Sequence, residues 1–361
     1  MAVLYRKYRP KTFEEVIGQE HVVKTLTNSL SSNVFSHAYL FSGPRGSGKT
    51  TIARLLAKAL NCKDRHGFEP CNKCISCLGI NEGKSLDLIE IDAASHRGID
   101  DVKELREGIK FPPSNSKYKI FIIDECHQLS KDAANALLKT LEEPPSHAIF
   151  ILATTELHKM IPTIISRCQR FNFRMLTLNE VMKRLELLVK KEKADVEKDA
   201  LELIALNSSG SLRDAESLLD QILSYSDGVK IKAEDIKNLL NLVETSLVIK
   251  FVDSLVEKKG KEALQFIGNL VEEGRDLQEF VKALINYLRQ ALILKTTKDV
   301  KLITGLTDAE FEKLKAQIEM FKEEELLKAL NLFLQAGNTM KMSPIPQLPL
   351  EIAAIEVISS S

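Results

Sequence analysis

Two patterns of apolar and polar residues follow each other along the chain, and they change near residue 177. Before this point, short and nearly continuous apolar runs alternate with stretches in which apolar residues recur every three or four positions. Continuous runs are typical of strands buried on both faces of a parallel sheet, whereas the wider spacing is typical of amphipathic helices. The first half of the chain therefore predicts an α/β domain built on a parallel sheet.

The same patterns predict where the individual elements lie. Strands are predicted at 37–43, 86–93, 119–125, 147–155 and 169–175, and helices between them at 50–61, 99–110 and 132–143. After residue 177 only helical spacing remains. We therefore predict an α/β domain over 1–177, a small helical domain over 178–240 and a third, all-helical domain over 241–361.

Composition places the chain among ordinary globular proteins. Hydrophobic residues make up 44% and charged residues 28% of its 361 residues, which excludes disordered and fibrous classes. Its 50 basic and 50 acidic side chains balance, so any contact with nucleic acid is expected to be local or shared with partners. The N-terminus lacks a signal peptide's apolar run, and no segment approaches the roughly 20 apolar residues that span a bilayer. We expect a cytoplasmic protein without membrane contact.

One glycine-rich segment has the pattern of a phosphate-binding loop. Residues 43–50, GPRGSGKT, fit G-x-x-x-x-G-K-[ST] and lie between a predicted strand and a predicted helix. Glycines let backbone N–H groups surround phosphates, and the helix N-terminus adds its positive end. Lys49 is then expected to contact the β- and γ-phosphates, and the Thr50 hydroxyl to bind Mg²⁺. The alternative is a glycine-rich turn with a surface lysine.

A second segment, KIFIIDECH, places two acids at the end of a predicted strand. The carboxyl ends of parallel strands meet at the edge where such sheets bind ligands. We expect Asp124 to hold Mg²⁺ and Glu125 to polarise the attacking water, although acids here can also be solvated turn residues. The next strand ends in Thr154 and Thr155. Either hydroxyl could orient the water or the γ-phosphate, but strands also favour threonine for its β-propensity alone.

Two arginines are further candidates. Ser211 has the features of a helix N-cap, which puts Arg213 in the first helical turn. A cation there opposes the helix dipole by roughly 0.3 to 1 kcal/mol, and a nearby anion such as a γ-phosphate would resolve the conflict. Arg167 lies near a predicted helix end, where a cation is favourable without any ligand. Local sequence therefore favours a structural role for Arg167.

Four of the six cysteines lie between the phosphate-loop helix and the next predicted strand. Cys62, Cys71, Cys74 and Cys77 have the spacing C-x8-C-x2-C-x2-C, which suits a tetrahedral Zn²⁺ site with no open position. In a reducing cytosol, clustered cysteines are more often metal ligands than disulfides, and the spacing is not one of the usual iron–sulfur spacings. We predict a structural zinc module, with disulfides, another metal or no metal as alternatives.

Several motifs occur in the order found in a known family. They are YRKYRPKTFEEVIGQEHV, GPRGSGKTT, the cysteine cluster, DECHQLSKDAANALLKTLEEPP, ATTE, SRCQRF and GSLRDA. On these motifs the chain resembles the gamma/tau subunits of bacterial DNA polymerase III, the ATPases of the sliding-clamp loader within the AAA+ superfamily. The motifs span residues 1–240. The resemblance implies that 178–240 form a lid over the nucleotide and that 241–361 form the oligomerising collar.

The resemblance also implies roles for individual residues. Arg167 becomes an arginine finger that reaches a neighbouring subunit's ATP site, Arg213 couples the lid to the γ-phosphate, and Thr155 becomes the sensor threonine. The implied adenine and ribose pocket is formed by Tyr8, Arg9, Pro10, Val16 and Ile17, for which ordinary core packing is the alternative. The implied phosphate-loop contacts are Gly43, Pro44, Arg45, Gly46, Ser47, Gly48, Lys49, Thr50 and Thr51.

A member of this family is expected to hydrolyse ATP in a hetero-pentamer with delta and delta-prime subunits and to load a beta-type clamp onto primer–template DNA. Arg97 and Lys103 match the DNA-contacting segment, although a solvated helix explains them equally well. Alternatives are a non-hydrolysing loader subunit, another AAA+ remodelling ATPase and a DExH helicase. The complete phosphate loop and acid pair argue against the first. The helicase needs a second α/β domain, for which the sequence after residue 177 offers no strands.

Overall fold

The computed structural model describes residues 3–95, 108–109, 111–225, 229–240, 244–297 and 308–359. The chain divides into two compact units, Met1–Ile236 and Lys237–Ser361. Among the described helices, none combines the length and the apolar character needed to cross a bilayer. The boundaries predicted at 177 and 240 remain predictions.

A parallel sheet forms the centre of the first unit. Its strands in the described residues are β1 (Ala38–Ser42), β2 (Leu88–Asp92), β3 (Lys119–Asp124), β4 (Ala148–Thr154) and β5 (Gln169–Asn172). They stand in the order β2-β3-β4-β1-β5, and every pair is parallel. The predicted parallel α/β domain and its five strands are confirmed.

Helices cover both faces of this sheet. They are α2 (Glu20–Ser32), α3 (Lys49–Asn61), α4 (Ile75–Glu82), α5 (Lys131–Glu142) and α6 (Pro162–Ile165), and a short helix, α1 (Leu4–Lys7), precedes them in the chain. Neighbouring strand residues point into different cores, since Phe41 belongs to one buried cluster and Leu40 to the other. Both faces of the strand are therefore dry, which explains the continuous apolar runs in the sequence.

A helical lid completes the first unit. Its described helices are α7 (Leu178–Glu192), α8 (Lys198–Asn207), α9 (Leu212–Tyr225) and α10 (Ala233–Leu239), of which α10 extends past the unit boundary at Ile236. Thr177 begins α7 with a capping box, in which its side chain accepts from the Glu180 N–H and the Glu180 carboxylate accepts from the Thr177 N–H. The Glu180 carboxylate also accepts hydrogen bonds from both terminal nitrogens of Arg174, at 2.6 and 2.8 Å. These bonds hold the turn between sheet and lid.

The second unit is helical throughout its described residues. Its helices are α11 (Thr245–Val256), α12 (Gly260–Glu272), α13 (Leu277–Thr297), α14 (Asp308–Met320), α15 (Glu323–Thr339) and α16 (Leu348–Ser359). Phe251 lies at the centre of its core, with ring centroids 5.4 Å from Phe280 and 6.2 Å from Phe333. The predicted all-helical C-terminal region is confirmed.

Candidate nucleotide site and metal centre

The phosphate loop follows β1 and leads into α3. Gly43 approaches the residue that follows β5 so closely that a Cβ on Gly43 would lie 2.4 Å from the carbonyl oxygen of Phe173. The Lys49 ammonium group turns back onto this loop and donates to the carbonyls of Gly43 at 2.8 Å and Pro44 at 2.9 Å. Burial lowers the pKa of Lys49, and the nearby carboxylates of Glu125 and Asp124 oppose that shift. The loop thus holds a buried cation, as phosphate binding requires.

The acid pair lies directly beside the phosphate loop. The Thr50 hydroxyl donates to Asp124 Oδ2 at 2.7 Å, although 74 residues separate them in the chain. A hydroxyl and a carboxylate are oxygen ligands of the kind that Mg²⁺ takes, and Thr50 and Asp124 are therefore the residues that would hold it. Glu125 follows in a left-handed conformation, with φ of +46°. The structure brings Thr50 and Asp124 together, and the roles assigned to them and to Glu125 remain predictions.

Thr155 contacts the predicted general base. Its hydroxyl donates to Glu125 Oε2 at 2.8 Å, and its backbone N–H donates to the same oxygen at 3.3 Å. The neighbouring Thr154 hydroxyl instead bonds to His127 Nδ1 at 2.9 Å. Of the two threonines left open by the sequence, Thr155 therefore reaches the acid pair, and it does so through Glu125.

His127 was not singled out by the sequence analysis. Its side chain is 3% exposed and lies between Glu125 Oε2 at 3.5 Å and Glu156 Oε2 at 3.0 Å. Together with the Thr154 bond, these contacts tie the ends of β3 and β4 to each other. The signal was the polar DECH run itself, since a histidine this close to a buried strand end needs polar partners.

A cavity of about 1120 Å³ opens over the phosphate loop and the acids. Most predicted nucleotide-binding residues line it, namely Arg9, Pro10, Val16, Ile17, Arg45, Gly46, Ser47, Gly48, Lys49, Thr50, Thr51, Asp124, Glu125 and Arg213. Among the described residues that do not line it are Tyr8, Gly43, Pro44, Thr155 and Arg167. The Tyr8 ring lies against Lys7 and Lys191, and its carbonyl accepts from Arg184 at 2.6 Å. A volume of this size accommodates a nucleotide.

The N-terminal segment, residues 5–17, supplies a cationic wall to this cavity. Arg9 Nη1 of this segment and Arg54 Nε of the adjoining helix α3 are buried and have no hydrogen-bond partner among the described residues, although Arg54 Nη2 pairs with Glu90. Burial lowers the pKa of Arg9, and the charge of Arg54 lowers it further. Buried donors without partners are costly, so this wall fits an anionic or strongly accepting ligand.

The lid closes the cavity from the other side. The Ser211 hydroxyl caps α9 by accepting from the Asp214 N–H at 3.3 Å, which confirms the predicted N-cap. Arg213 then lies in the first turn, with its guanidinium 5.0 Å from the centre of the Tyr5 ring. A buried ion pair, Arg184 Nε to Glu216 Oε1 at 2.6 Å, joins α7 to α9 behind it. The sequence signal for that pair was a charge on the apolar face of α7.

Arg167 lies on the surface, outside the described lining of the chain's own cavity. It follows α6, donates to the Thr163 carbonyl at 2.8 Å and pairs with Glu142 at 2.5 Å. Its side chain remains 32% exposed. Arg97 and Lys103, the candidate DNA contacts, fall outside the described residues.

The four cysteines of residues 62–77, here called the cysteine loop, come together as the sequence predicted. Their sulfur atoms all lie within 4.8 Å of one another. Zn–S bonds of about 2.3 Å place tetrahedral sulfurs roughly 3.8 Å apart, so one ion can bind all four. Cys62 ends α3, Cys74 precedes α4 and Cys77 lies in its first turn. The set fits a closed structural zinc site.

Backbone donors favour the thiolate form in part of this cluster. The Cys71 N–H donates to Cys62 Sγ at 3.2 Å, and the Lys73 and Cys74 N–H groups donate to Cys71 Sγ at 3.5 and 3.3 Å. The bond from Lys73 contributes most to a Cys71 pKa lowered to about 6. Burial raises the pKa of Cys62 and of Cys77. A bound cation would supply the charge that keeps all four deprotonated.

Comparison with family models divides the chain into three consecutive matches. Residues 18–177 match "DNA polymerase III, delta subunit", and residues 180–228 match "DNA polymerase III clamp loader subunit, ATPase lid domain". Residues 231–361 match "DNA polymerase III subunits gamma and tau domain III". With the parallel sheet, the phosphate loop and the lid, these matches define a clamp-loader subunit of the AAA+ class.

Individual relatives narrow the class to one family. DNA polymerase III subunit gamma of Buchnera aphidicola is 35% identical over 99% of this chain and 99% of its own length. Subunit tau of Bacillus subtilis is 44% identical over 99% of this chain, and that of Escherichia coli 40% identical over 81%. The chain belongs to the gamma/tau subunit family of DNA polymerase III. It spans 63% of the Bacillus protein and 45% of the Escherichia protein.

A solved structure of Thermotoga maritima RuvB, the R170A variant, aligns with 69% of this chain and 79% of its own. Its identity is 20% and its TM-score 0.49. This similarity is too low to favour any function.

Proposed function

We propose that this chain is the ATP-hydrolysing subunit of the clamp loader. The observation that carries the proposal is the 2.7 Å bond between Thr50 Oγ1 and Asp124 Oδ2, with Glu125 beside it on the cavity wall. This contact brings the phosphate loop to the strand end that carries the acids, which is the arrangement required for hydrolysis of a magnesium-bound nucleotide. A complete set of these groups supports an enzyme over a non-hydrolysing interaction subunit.

The residues divide the reaction between them. Backbone N–H groups of 43–50 surround the phosphates, and Lys49 exchanges its two carbonyl partners for phosphate oxygens. Mg²⁺ held by Thr50 and Asp124 would neutralise charge on the β- and γ-phosphates. Glu125 polarises the attacking water. Because Thr155 occupies Glu125 Oε2, we assign the water to Oε1 and regard Thr155 as a positioning residue.

Arginines complete the proposed site from three directions. Arg9 satisfies its buried nitrogen with the nucleotide, and Arg213 reaches the γ-phosphate from α9, where an anion relieves its conflict with the helix dipole. Arg167 acts on the nucleotide of a neighbouring subunit, which is supported by its surface position outside its own cavity. ATP binding would then order the lid, while hydrolysis would require an assembled ring.

The partners follow from the family. The assembly is a hetero-pentamer with delta-type and delta-prime-type subunits, and it opens a beta-type clamp and loads it onto primer–template DNA in the cytoplasm. The reaction of this chain itself is ATP hydrolysis, although it belongs to a complex that synthesises DNA. The cysteine loop binds Zn²⁺ and has a structural role, because all four ligand positions are filled by thiols.

Steady-state phosphate release tests the trans arrangement. The isolated chain is expected to turn over slowly and to be stimulated by loader partners, clamp and primed DNA. Arg167→Ala should lower the stimulated rate by about 10³ to 10⁵, because a finger of this kind stabilises transition-state charge. Arg170→Ala is the matched control, since Arg170 is an exposed arginine close by in the chain whose Nε donates to Asn172 Oδ1 at 2.8 Å.

Two results would overturn parts of this proposal. Full activity of a lone monomer, or normal stimulated turnover with Arg167→Ala, contradicts the arginine finger. Absence of any ATP hydrolysis in the complete assembly contradicts the ATPase assignment itself.

A further inference from the structure

The cysteine loop grips the backbone of the N-terminal segment. The two carboxylate oxygens of Glu69 accept one bond each, from the Phe13 N–H at 3.0 Å and from the Glu14 N–H at 3.0 Å. The Phe13 ring is buried and lies edge-on to Phe68, with centroids 6.4 Å apart. Residues 68 and 69 therefore fix the position and direction of the backbone at residues 13 and 14.

A second set of contacts to the N-terminal segment involves Asn72, three residues after Glu69 along the loop. Lys58 of α3 is 2% exposed, and its three N–H donors reach the Lys11 carbonyl at 2.8 Å, Asn72 Oδ1 at 2.7 Å and Asn81 Oδ1 at 2.9 Å. The Asn72 amide nitrogen also donates to the Lys11 carbonyl, at 3.0 Å. Asn72 lies between Cys71 and Cys74, so its position is set by the cysteine cluster. One buried ammonium group thus joins α3, the cysteine loop and the N-terminal segment.

Of the gripped residues, Lys11 lines the cavity itself, whereas Phe13 and Glu14 lie between two cavity-lining stretches. These stretches are residues 9–11 and residues 15–17. Residues 12–14 between them are not part of the described lining. The cysteine loop therefore contacts the N-terminal segment between the two stretches that face the nucleotide.

We propose that the cysteine loop positions the N-terminal wall of the nucleotide cavity, so that metal bound to the four cysteines tightens nucleotide binding. The proposal rests on the function proposed above and adds a role for Glu69, Lys58 and Asn72 as positioning residues. A metal that fixes Cys71 and Cys74 fixes the loop that carries Glu69 and Asn72. Loss of that metal frees the loop, and the wall then loses its support on one side.

Linkage makes the effect reciprocal. If the metal tightens nucleotide binding by a factor, the nucleotide tightens metal binding by the same factor, and couplings of this kind are typically about 5- to 150-fold. Loss of the metal should change only the contacts that residues 5–17 make with the nucleotide. The contacts of Lys49 and Thr50 should remain, because these residues belong to the phosphate loop. We therefore expect a factor near the lower end, about fivefold.

The test compares full-length variants by titration with the fluorescent nucleotide mant-ADP. Glu69→Gln keeps the size of the side chain but can accept only one of the two N–H bonds, and its Kd should rise about fivefold. Asp64→Asn is the matched control, because Asp64 is an exposed carboxylate of the same loop, with its side chain 74% exposed. Its Kd should stay at the parent value. Removal of zinc by a chelator should raise the Kd of the parent protein for mant-ADP by about the same factor as Glu69→Gln does.

Hydrogen exchange of residues 11–14 supplies a readout that does not depend on nucleotide. The Phe13 and Glu14 amides donate to Glu69, so they should exchange faster in Glu69→Gln and in metal-free protein, and at the parent rate in Asp64→Asn. Release of zinc to a colorimetric chelator should slow when mant-ADP is bound. If chelation unfolds the first unit, Glu69→Gln decides, because it leaves all four thiols intact.

The outcomes are distinct. A folded Glu69→Gln protein with parent Kd and parent exchange at residues 13 and 14 overturns the inference while leaving the ATPase proposal intact. Failure of the parent chain to bind mant-ADP overturns the proposed function and this inference with it.

Discussion

A methyl group added at Gly46 of the phosphate loop is expected to push the lid away from that loop. Gly46 has φ of +76°, and a Cβ built on it would lie 1.9 Å from Ser211 Oγ and 2.9 Å from Ser211 Cβ. Alanine in this left-handed conformation costs about 1 to 2 kcal/mol. Ser211 cannot simply rotate away, because its hydroxyl caps α9 and its Cβ would remain too close. Overpacking of this kind adds about 1 to 3 kcal/mol. Gly46→Ala should therefore destabilise the closed lid by about 2 to 5 kcal/mol.

Gly83→Ala separates the two contributions. Gly83 has φ of +70°, and no described heavy atom lies within 4 Å of its added Cβ, so only the backbone cost remains. The double variant Gly46→Ala with Ser211→Gly restores the space at Ser211 and should recover the steric part, less a few tenths of a kcal/mol for the weaker cap. Thermal unfolding of the first unit is the assay, because Gly46 and Gly83 both line the nucleotide cavity and could change nucleotide affinity directly. Equal effects of Gly46→Ala and Gly83→Ala would refute the steric argument.

Three further predictions concern the base, the metal and the capping box. Thr155→Val removes the 2.8 Å bond to Glu125 and should lower stimulated kcat about 10- to 100-fold with nucleotide Kd unchanged, since a hydrogen bond to a charged group is worth about 1.5 to 3 kcal/mol; unchanged kcat contradicts this. Elemental analysis should find about one zinc ion per chain and its loss in Cys74→Ser, whereas zinc-free, fully folded parent protein contradicts the zinc assignment. Arg174 lowers the pKa of Glu180 from 4.5 to about 2, so the stability that its carboxylate contributes is complete above pH 4.5 and is lost as the pH falls towards 2. The difference in unfolding free energy between the parent and Glu180→Gln should therefore shrink over that interval, and a difference independent of pH contradicts the ion pair.

The central strands β1, β3 and β4 were predictable because they are buried on both faces. β4 is buried along its whole length, so its sequence is a continuous apolar run that needs no knowledge of its neighbours. The phosphate loop was predictable for a similar reason, since its function depends on a local spacing. The helix α16 was predicted only as part of the all-helical region, because Leu348–Ser359 has little polar face to mark its own bounds.

The contacts that bring the site residues together could not be predicted from local sequence patterns. The approach of Gly46 to Ser211 joins residues that lie far apart in the chain. Glu69 reaches Phe13 across 56 residues, and Thr155 turned out to contact Glu125 across 30. None of these pairs leaves a periodic signal, because each depends on where the chain returns after crossing the sheet. Their residue types are visible in the sequence, but their partners are set by tertiary structure.

The central claim is that Glu125 serves as the base for ATP hydrolysis in this cavity, and turnover of Glu125→Gln tests it most directly. The variant keeps the shape of the side chain and removes its charge, so mant-ADP affinity should stay near the parent value. Phosphate release by the complete loader with clamp and primed DNA should fall about 10² to 10⁴-fold, the usual contribution of a positioned base. An unchanged rate of phosphate release by a loader in which every copy of this chain carries Glu125→Gln would contradict this role of Glu125.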